Sequence, residues 1–201
     1  MKLTWMGHSC FLLESAGHRL MFDPYREVPG LEDITGEVDE VLCSHEHFDH
    51  AHTQQLTITG KTSPFTIQKI DTFHDGEEGA LRGKNIVHCL TVEGLRIVHL
   101  GDLGHALSQA QLEPLLGCDV LLLPVGGTYT LDSAQAHRVL SQIQPRIAIP
   151  MHYRTATTGF PVLEPVENFL SHCPTQQIRR YDVPTLDITT DTPAQIAVLT
   201  I

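Results

Sequence analysis

The chain has 201 residues, 41% apolar and 18% charged, and its 24 acidic against 13 basic side chains leave a formal net charge of −11. This composition rules out a coiled coil or a disordered chain, and the length suits one domain over residues 1–201 that buries about 70% of its extended-chain surface. No run approaches the roughly 18 apolar residues of a membrane span, and the longest basic run is Arg179-Arg180, so neither a membrane nor a long nucleic acid is expected as a partner.

Lys2 to Met6, Ser9 to Ser15 and Arg19 to Phe22 read as strands, separated by Gly7-His8 and Ala16-Gly17-His18 and closed by Asp23-Pro24-Tyr25. The apolar start is too short for a leader before Gly7-His8-Ser9 interrupts it. Cys10, Cys43, Cys89, Cys118 and Cys173 include no close pair and read as reduced thiols. A cytoplasmic location is therefore expected. Residues 26–38 are rich in Pro, Gly and acids without periodicity, hence a loop.

The short apolar run Val41-Leu42-Cys43 then delivers Ser44-His45-Glu46-His47-Phe48-Asp49-His50. Imidazole and carboxylate together are ligands for zinc, iron or manganese. Residues two apart in an extended segment face the same way, so His45 and His47 can converge on one ion. A turn after Phe48 swings Asp49 and His50 toward a second position roughly 3.5 to 4 Å away, the separation of two-metal hydrolytic sites. The alternative is a polar turn with solvated histidines, which behind an apolar strand leaves imidazoles desolvated without partners.

The His-x-His-x-Asp-His spacing resembles the signature of the metallo-beta-lactamase superfamily. That resemblance implies an α+β, four-layer αββα sandwich with metal at its mouth. It also implies that Gly7-His8-Ser9 and Asp23-Pro24 lie near the metal site rather than in it, with His8 either packed behind the ligands or touching substrate.

Beyond the cluster, Ala51 to Leu56 reads as a short helix with Asp49 near its start and His52 solvated. Thr57 to Gly60 and Phe65 to Phe73 read as strands. His74 follows the second of these, where the resemblance puts the third histidine of the first metal site. Residues 75–85 carry three glycines and mixed charge, a flexible connection that is either an active-site flap or an ordinary hairpin loop. Within it Arg82 is the cationic side chain best suited to a substrate carboxylate or phosphate.

Asn85 to Val92 and Leu95 to Leu100 form a hairpin about Glu93-Gly94 that runs into Gly101-Asp102-Leu103-Gly104-His105. A carboxylate emerging from a buried strand between glycines needs a partner. The resemblance makes Asp102 a bridge between two ions; a turn or capping aspartate is the alternative. His99 falls on another face and is expected to be buried, with His105 at the pocket edge.

Leu107, Leu112, Leu115 and Leu116 have helical spacing behind a Ser108 cap, disturbed by Pro114. Val120 to Leu123 is a central strand, followed by Gly126-Gly127, where the backbone can make a close approach, and by a helix through Leu140 capped by Asp132. Tyr129 and Thr130 are candidates to face substrate. Arg146 to Pro150 is a strand ending at Met151-His152-Tyr153, and the resemblance makes His152 the histidine of the second site. Val162 to Leu170 reads as a helix despite Pro165, Gln177 to Tyr181 and Ile196 to Ile201 as strands, and Asp182 to Gln195 mostly as loop.

Order and context match across residues 1–153. Trp5-Met6-Gly7-His8-Ser9, Gly101-Asp102 and Pro150-Met151-His152-Tyr153 resemble the small group similar to L-ascorbate-6-phosphate lactonase and to the phospholipase D of N-acyl ethanolamine lipids. The long extra segments of the latter are missing, and His47 stands where oxygen-reducing diiron relatives tend to have glutamate. The implied ligand sets are His45, His47 and His74 for one ion and Asp49, His50 and His152 for another, with Asp102 across both. Two divalent cations are expected, zinc first and manganese or iron as alternatives. The expected activity is hydrolysis of a small ester, lactone or phosphodiester by activated water, with Asp49 and Asp102 as the catalytic carboxylates. His8, Arg82, His105, Tyr129 and Thr130 are the candidate substrate contacts, from pocket loops at 24–38, 75–84 and 153–161. A mononuclear iron dioxygenase and a noncatalytic metal-binding module are the competing readings, and assembly into a homo-oligomer is left open.

Overall fold

A computed structural model describes all 201 residues. The first strands, β1 (Lys2–Gly7), β2 (Cys10–Ser15) and β3 (His18–Phe22), form an antiparallel meander. Next come β4 (Gly36–Val38), β5 (Glu40–Leu42), β6 (Leu56–Ile58), β7 (Thr66–Phe73), β8 (Lys84–Val92) and β9 (Leu95–His99). The second half holds α1 (Gln109–Leu112), β10 (Val120–Pro124), α2 (Ser133–Ile143), β11 (Ile147–Met151) and α3 (Val166–Leu170), then β12 (Ile178–Arg180), β13 (Thr185–Asp187) and β14 (Gln195–Val198). One sheet has the order β13-β1-β2-β3-β5, the other β12-β14-β11-β10-β9-β8-β7, and β4 pairs with β6 alone.

The two sheets face each other across one apolar cluster. Alternation in β1 to β3 points Leu3, Trp5, Phe11, Leu13, Leu20 and Phe22 inward, where they meet Val87, Ile97 and Leu121 of the opposite sheet. All five residues of β10 and of β11 are buried, as expected of parallel strands covered on both faces. Helices α2 and α3 supply the layer outside that sheet, packing on each other and on β10. The outer face of the first sheet is covered instead by a small cluster in which Cys10 and Met21 meet Tyr25, Val28, Ile34 and Val38 from the following loop and β4.

Topology gathers the strand ends that matter. Strand β7 is antiparallel to β8 and β8 to β9, while β9, β10 and β11 run parallel. The C-termini of β7, β9 and β11 therefore lie along one edge of the second sheet, which is where ligands sit in such sheets. Residues 44–50, after β5, meet them from the first sheet.

Several local expectations are corrected. Residues 51–56 form no helix: the chain makes a single turn in which the His50 and Ala51 amides donate to the His47 carbonyl, and the His52 amide then donates to Pro24 O at 2.8 Å. That contact ties the backbone to a distant loop and buries His52 rather than leaving it solvated. Loop 26–38 contains β4, and loop 182–195 contains β13, an edge strand that buries Leu186 beside Leu3. The expected 162–170 helix begins only after Pro165, whose extended ψ of 156° makes it the N-cap. Helix α1 has its Ser108 cap, in a capping box with Gln111, but Pro114 turns the next residues into a 3-10 helix and leaves Leu116 exposed.

Candidate metal centre

The centre is assembled on a carboxylate. Asp102 Oδ2 lies 3.2 Å from the Nε2 atoms of His50, His74 and His152, all of them buried. The Asp102 amide donates to Asn85 Oδ1 at 2.9 Å, while Asn85 Nδ2 donates to Thr72 Oγ1 and Leu100 O, so its position is set by β7, β8 and the end of β9 together. Around it stand three groups whose donor atoms all lie within 4.8 Å of one another: His45, His47 and His74; His8, Asp49, His50 and His152; and His45, His50 and Asp102.

Hydrogen bonds on the far side of two rings settle which nitrogen is free. Asp23, fully buried, accepts the Ser44 amide at 2.6 Å, the Ser44 hydroxyl at 2.7 Å and His50 Nδ1–H at 2.9 Å. The Ser44 hydroxyl, having donated its hydrogen, accepts from His45 Nδ1–H at 3.0 Å. Both rings therefore turn Nε2 toward the centre, the nitrogen that would bind an ion there. His99 differs: its Nδ1 accepts the Gly101 amide and its Nε2–H donates to Ser9 O, so both nitrogens are occupied and it is a buried support stacked on Phe22.

Cations fit this arrangement. Asp102 Oδ1 and the Nε2 atoms of His45 and His50 are buried without a hydrogen-bond partner, and the Nε2 atoms of His50, His74 and His152 crowd one carboxylate oxygen at 3.2 Å, a position that calls for positive charge, a proton or a cation, between them. Burial opposes charge on His50, yet Asp102 and Asp23 raise its pKa well above the usual range. Burial likewise opposes ionisation of Asp102, and the nearby His152 and His50 outweigh it, holding the carboxyl well below the usual range. Burial pushes His45 down to about 3, His50 adding to the effect. Nitrogen and carboxylate donors in this mixture are those of zinc, iron or manganese.

His8 stands inside the second group. Its Nε2 is 3.3 Å from Asp49 Oδ2, its ring centroid is 4.2 Å from that of His152, and its carbonyl accepts the His152 amide. Burial, then His152, lowers its pKa to about 4, so it is neutral near pH 7. His8, Asp23 and His152 have φ of 50°, 42° and 54°, left-handed conformations that cost roughly 1–3 kcal/mol each in non-glycine residues and cluster at functional sites. At Gly126 a Cβ would lie 2.0 Å from His152 O, which is why the chain beside this histidine needs glycine.

A cavity of about 300 Å³ opens over the centre, walled by Phe48, Phe160, Tyr129 and Arg82. The other candidate contacts sit elsewhere. His105 Nε2 accepts the Phe73 amide at the end of β7 and does not line this cavity, and Thr130, which is buried, does not line it either. Residues 75–85 are not a loose connection. Asp75 accepts the amides of Glu77, Gly79, Leu81 and Arg82 at 2.7 to 3.1 Å, four bonds that outweigh burial and lower its pKa. Asp75→Ala should therefore free the segment: those four amides should exchange with deuterium at least about tenfold faster, since each lost bond is worth about 1 kcal/mol, and trypsin should cut after Arg82. Unchanged exchange would show that the loop is held by something else.

The sequence gives no functional role to Ser44, Asn85, Phe48 or Phe160, and the resemblance places Asp23 near the metal site without a role; the added signal for Asp23 is a lone acid at the end of an apolar strand, as at Asp102.

The sequence pattern of the family described as "Beta-lactamase superfamily domain" matches residues 2–152. The chain belongs to that superfamily. A UPF0173 protein of Pyrococcus furiosus is 32% identical over 187 residues, covering 80% of this chain and 87% of the relative. A UPF0173 metal-dependent hydrolase of Carboxydothermus hydrogenoformans is 30% identical over 193 residues, covering 77% and 85%. The crystal structure of a metallo-beta-lactamase superfamily protein from Thermotoga maritima superposes with a TM-score of 0.77 at 33% identity, covering 98% of this chain and 97% of that one. The sandwich is therefore the metallo-beta-lactamase fold. No helix is long and apolar enough to cross a membrane.

Proposed function

We propose that this protein is a metal-dependent hydrolase that holds two divalent cations, zinc first among them, and cleaves a small ester, lactone or phosphodiester. The observation carrying this reading is the convergence of three Nε2 atoms at 3.2 Å on one oxygen of Asp102, with a complete donor group on either side. The C. hydrogenoformans relative is named a metal-dependent hydrolase, and the T. maritima protein is described as a candidate Zn-dependent one. Two donor groups rather than one favour this over a mononuclear dioxygenase.

His45, His47 and His74 would hold one ion, Asp49, His50 and His152 the other, and Asp102 both, with His8 beside Asp49. Bound ions supply an acidified water as nucleophile and draw off charge developing on the substrate oxygen. Asp49, whose ionisation burial opposes but His8 and His50 favour, with a pKa of about 2, would accept a hydrogen bond from such a water and orient it. So acidic a group steers better than it stores a proton. His8, neutral, keeps the Asp49 carboxylate in place. The Cys43 thiol is pushed up to about 12 by burial and the charge of Asp23, so no cysteine thiolate is at hand for a covalent route.

Protein purified without added metal, assayed by mass spectrometry and against a panel of lactones, phosphodiesters, amides and thioesters, should carry about two equivalents of divalent metal. Chelation should abolish turnover and readdition restore it. A single equivalent, or turnover indifferent to chelator, would overturn the proposal.

A further inference from the structure

Resting on that reading, the geometry points to a substrate with two ends: a hydrolysable bond that reaches the metal centre, and a terminal oxyanion, carboxylate or phosphate, that Arg82 selects, with a small apolar body between them. Arg82 lines the cavity over the centre. Its guanidinium lies over the Tyr129 ring, 5.2 Å from the centroid, and takes part in no ion pair or side-chain hydrogen bond. Five of the thirteen basic side chains, Lys2, Arg19, Arg26, Arg146 and Arg180, pair with acids; Arg82 does not, and it is the one cationic side chain lining the cavity over the centre. A guanidinium has five donors in a planar fork that matches an oxyanion in bidentate fashion.

The fork is also held ready. The Arg82 amide donates to Asp75 Oδ2 at 2.7 Å, which fixes the backbone that carries the side chain, and the Tyr129 ring gives the guanidinium a face to rest on. Both contacts lower the ordering cost when an anion arrives. The cations expected at the centre would hold the reacting group, so a separate positive group on the wall implies a separate negative group on the substrate. Phe48 and Phe160, which line the same cavity, meet edge-on at 6.3 Å. Phe48 is 44% exposed although it is a large aromatic side chain, so its ring is available to cover an aryl or alkyl body. A cavity of about 300 Å³ admits only a small molecule of this kind.

The test uses the metal-loaded full chain and calorimetry with three thiols that share one anchor for the metals: phenylmethanethiol, 4-(mercaptomethyl)benzoate and the corresponding phosphonate. At least one of the two charged thiols should bind about tenfold more tightly than the neutral one, the usual worth of a charge-assisted contact, and the tighter of the two identifies the oxyanion. Arg82→Gln should reduce that preference to within about twofold, Arg82→Lys should keep part of it, and Lys84→Gln, which removes the same charge outside the cavity, should keep it all. Phe48→Ala should weaken all three thiols by about two- to tenfold. Equal preference for the charged thiols in wild type and Arg82→Gln would overturn the role of Arg82, and unchanged affinities in Phe48→Ala would overturn the apolar body. Binding of none of the thiols to a chain shown to hold its metal would overturn this proposal and leave the metal centre standing.

Discussion

Asp102→Asn should leave a folded protein that has lost turnover by at least about a thousandfold and holds no more than about one equivalent of metal. The substitution keeps the shape of the side chain. It also keeps the backbone hydrogen bond to Asn85, so the packing of β8 and β9 is undisturbed. What disappears is the negative charge on which the Nε2 atoms of His50, His74 and His152 converge. An amide can place a carbonyl oxygen toward some of these groups but cannot balance two dications in a buried site. Metal analysis and turnover, measured on the same preparation with circular dichroism as the folding control, decide the matter. A variant with full metal content and undiminished activity would remove Asp102 from the centre.

Asp23→Ala should cost about 3–5 kcal/mol of stability, the usual effect of removing one partner from a buried charged network, and should weaken metal binding about 10- to 100-fold, as for other groups that orient ligands. Asp23 touches no expected ion position. It accepts three hydrogen bonds at 2.6 to 2.9 Å from Ser44 and His50, and its loss leaves those donors buried and unpaired. It also releases the His50 ring to change tautomer and, through Ser44, loosens His45. Ionisation of Asp23 is opposed by burial but favoured by His50 and His99, which keep its pKa below the usual carboxylate range. Denaturant unfolding in chelator isolates the stability effect, and metal titration measures the other. An affinity equal to that of the wild type would show that His50 is oriented without Asp23.

The residues of this centre differ in how far their placement could be read from the sequence. His45, His47, Asp49 and His50 sit within six positions of one another after an apolar strand, and their convergence depends only on local geometry. The Ser108 and Asp132 caps are equally local, each completed by a glutamine three residues on. His74, Asp102 and His152 were assigned by resemblance, because nothing between residues 50 and 152 states which strand ends will lie side by side. The failed helix at 51–56 belongs with them: its residues tolerate a helix, and a hydrogen bond to Pro24 O, from a loop nearly thirty residues earlier, decides otherwise.

By itself the sequence determined the alternation of β1 to β3, the wholly apolar β10 and β11 and the cluster of histidines and acids at 44–50, because those properties depend on side chains a few residues apart. Tertiary structure alone decided that Asp23 orients His50, that His8 enters the second donor group, that Asp75 organises its loop and that Arg82 faces the cavity unpaired. Each of these is a contact of a few ångströms that depends on how the sheets pack or a loop closes, and hydrophobic burial, which drives that packing, records no partner in the sequence.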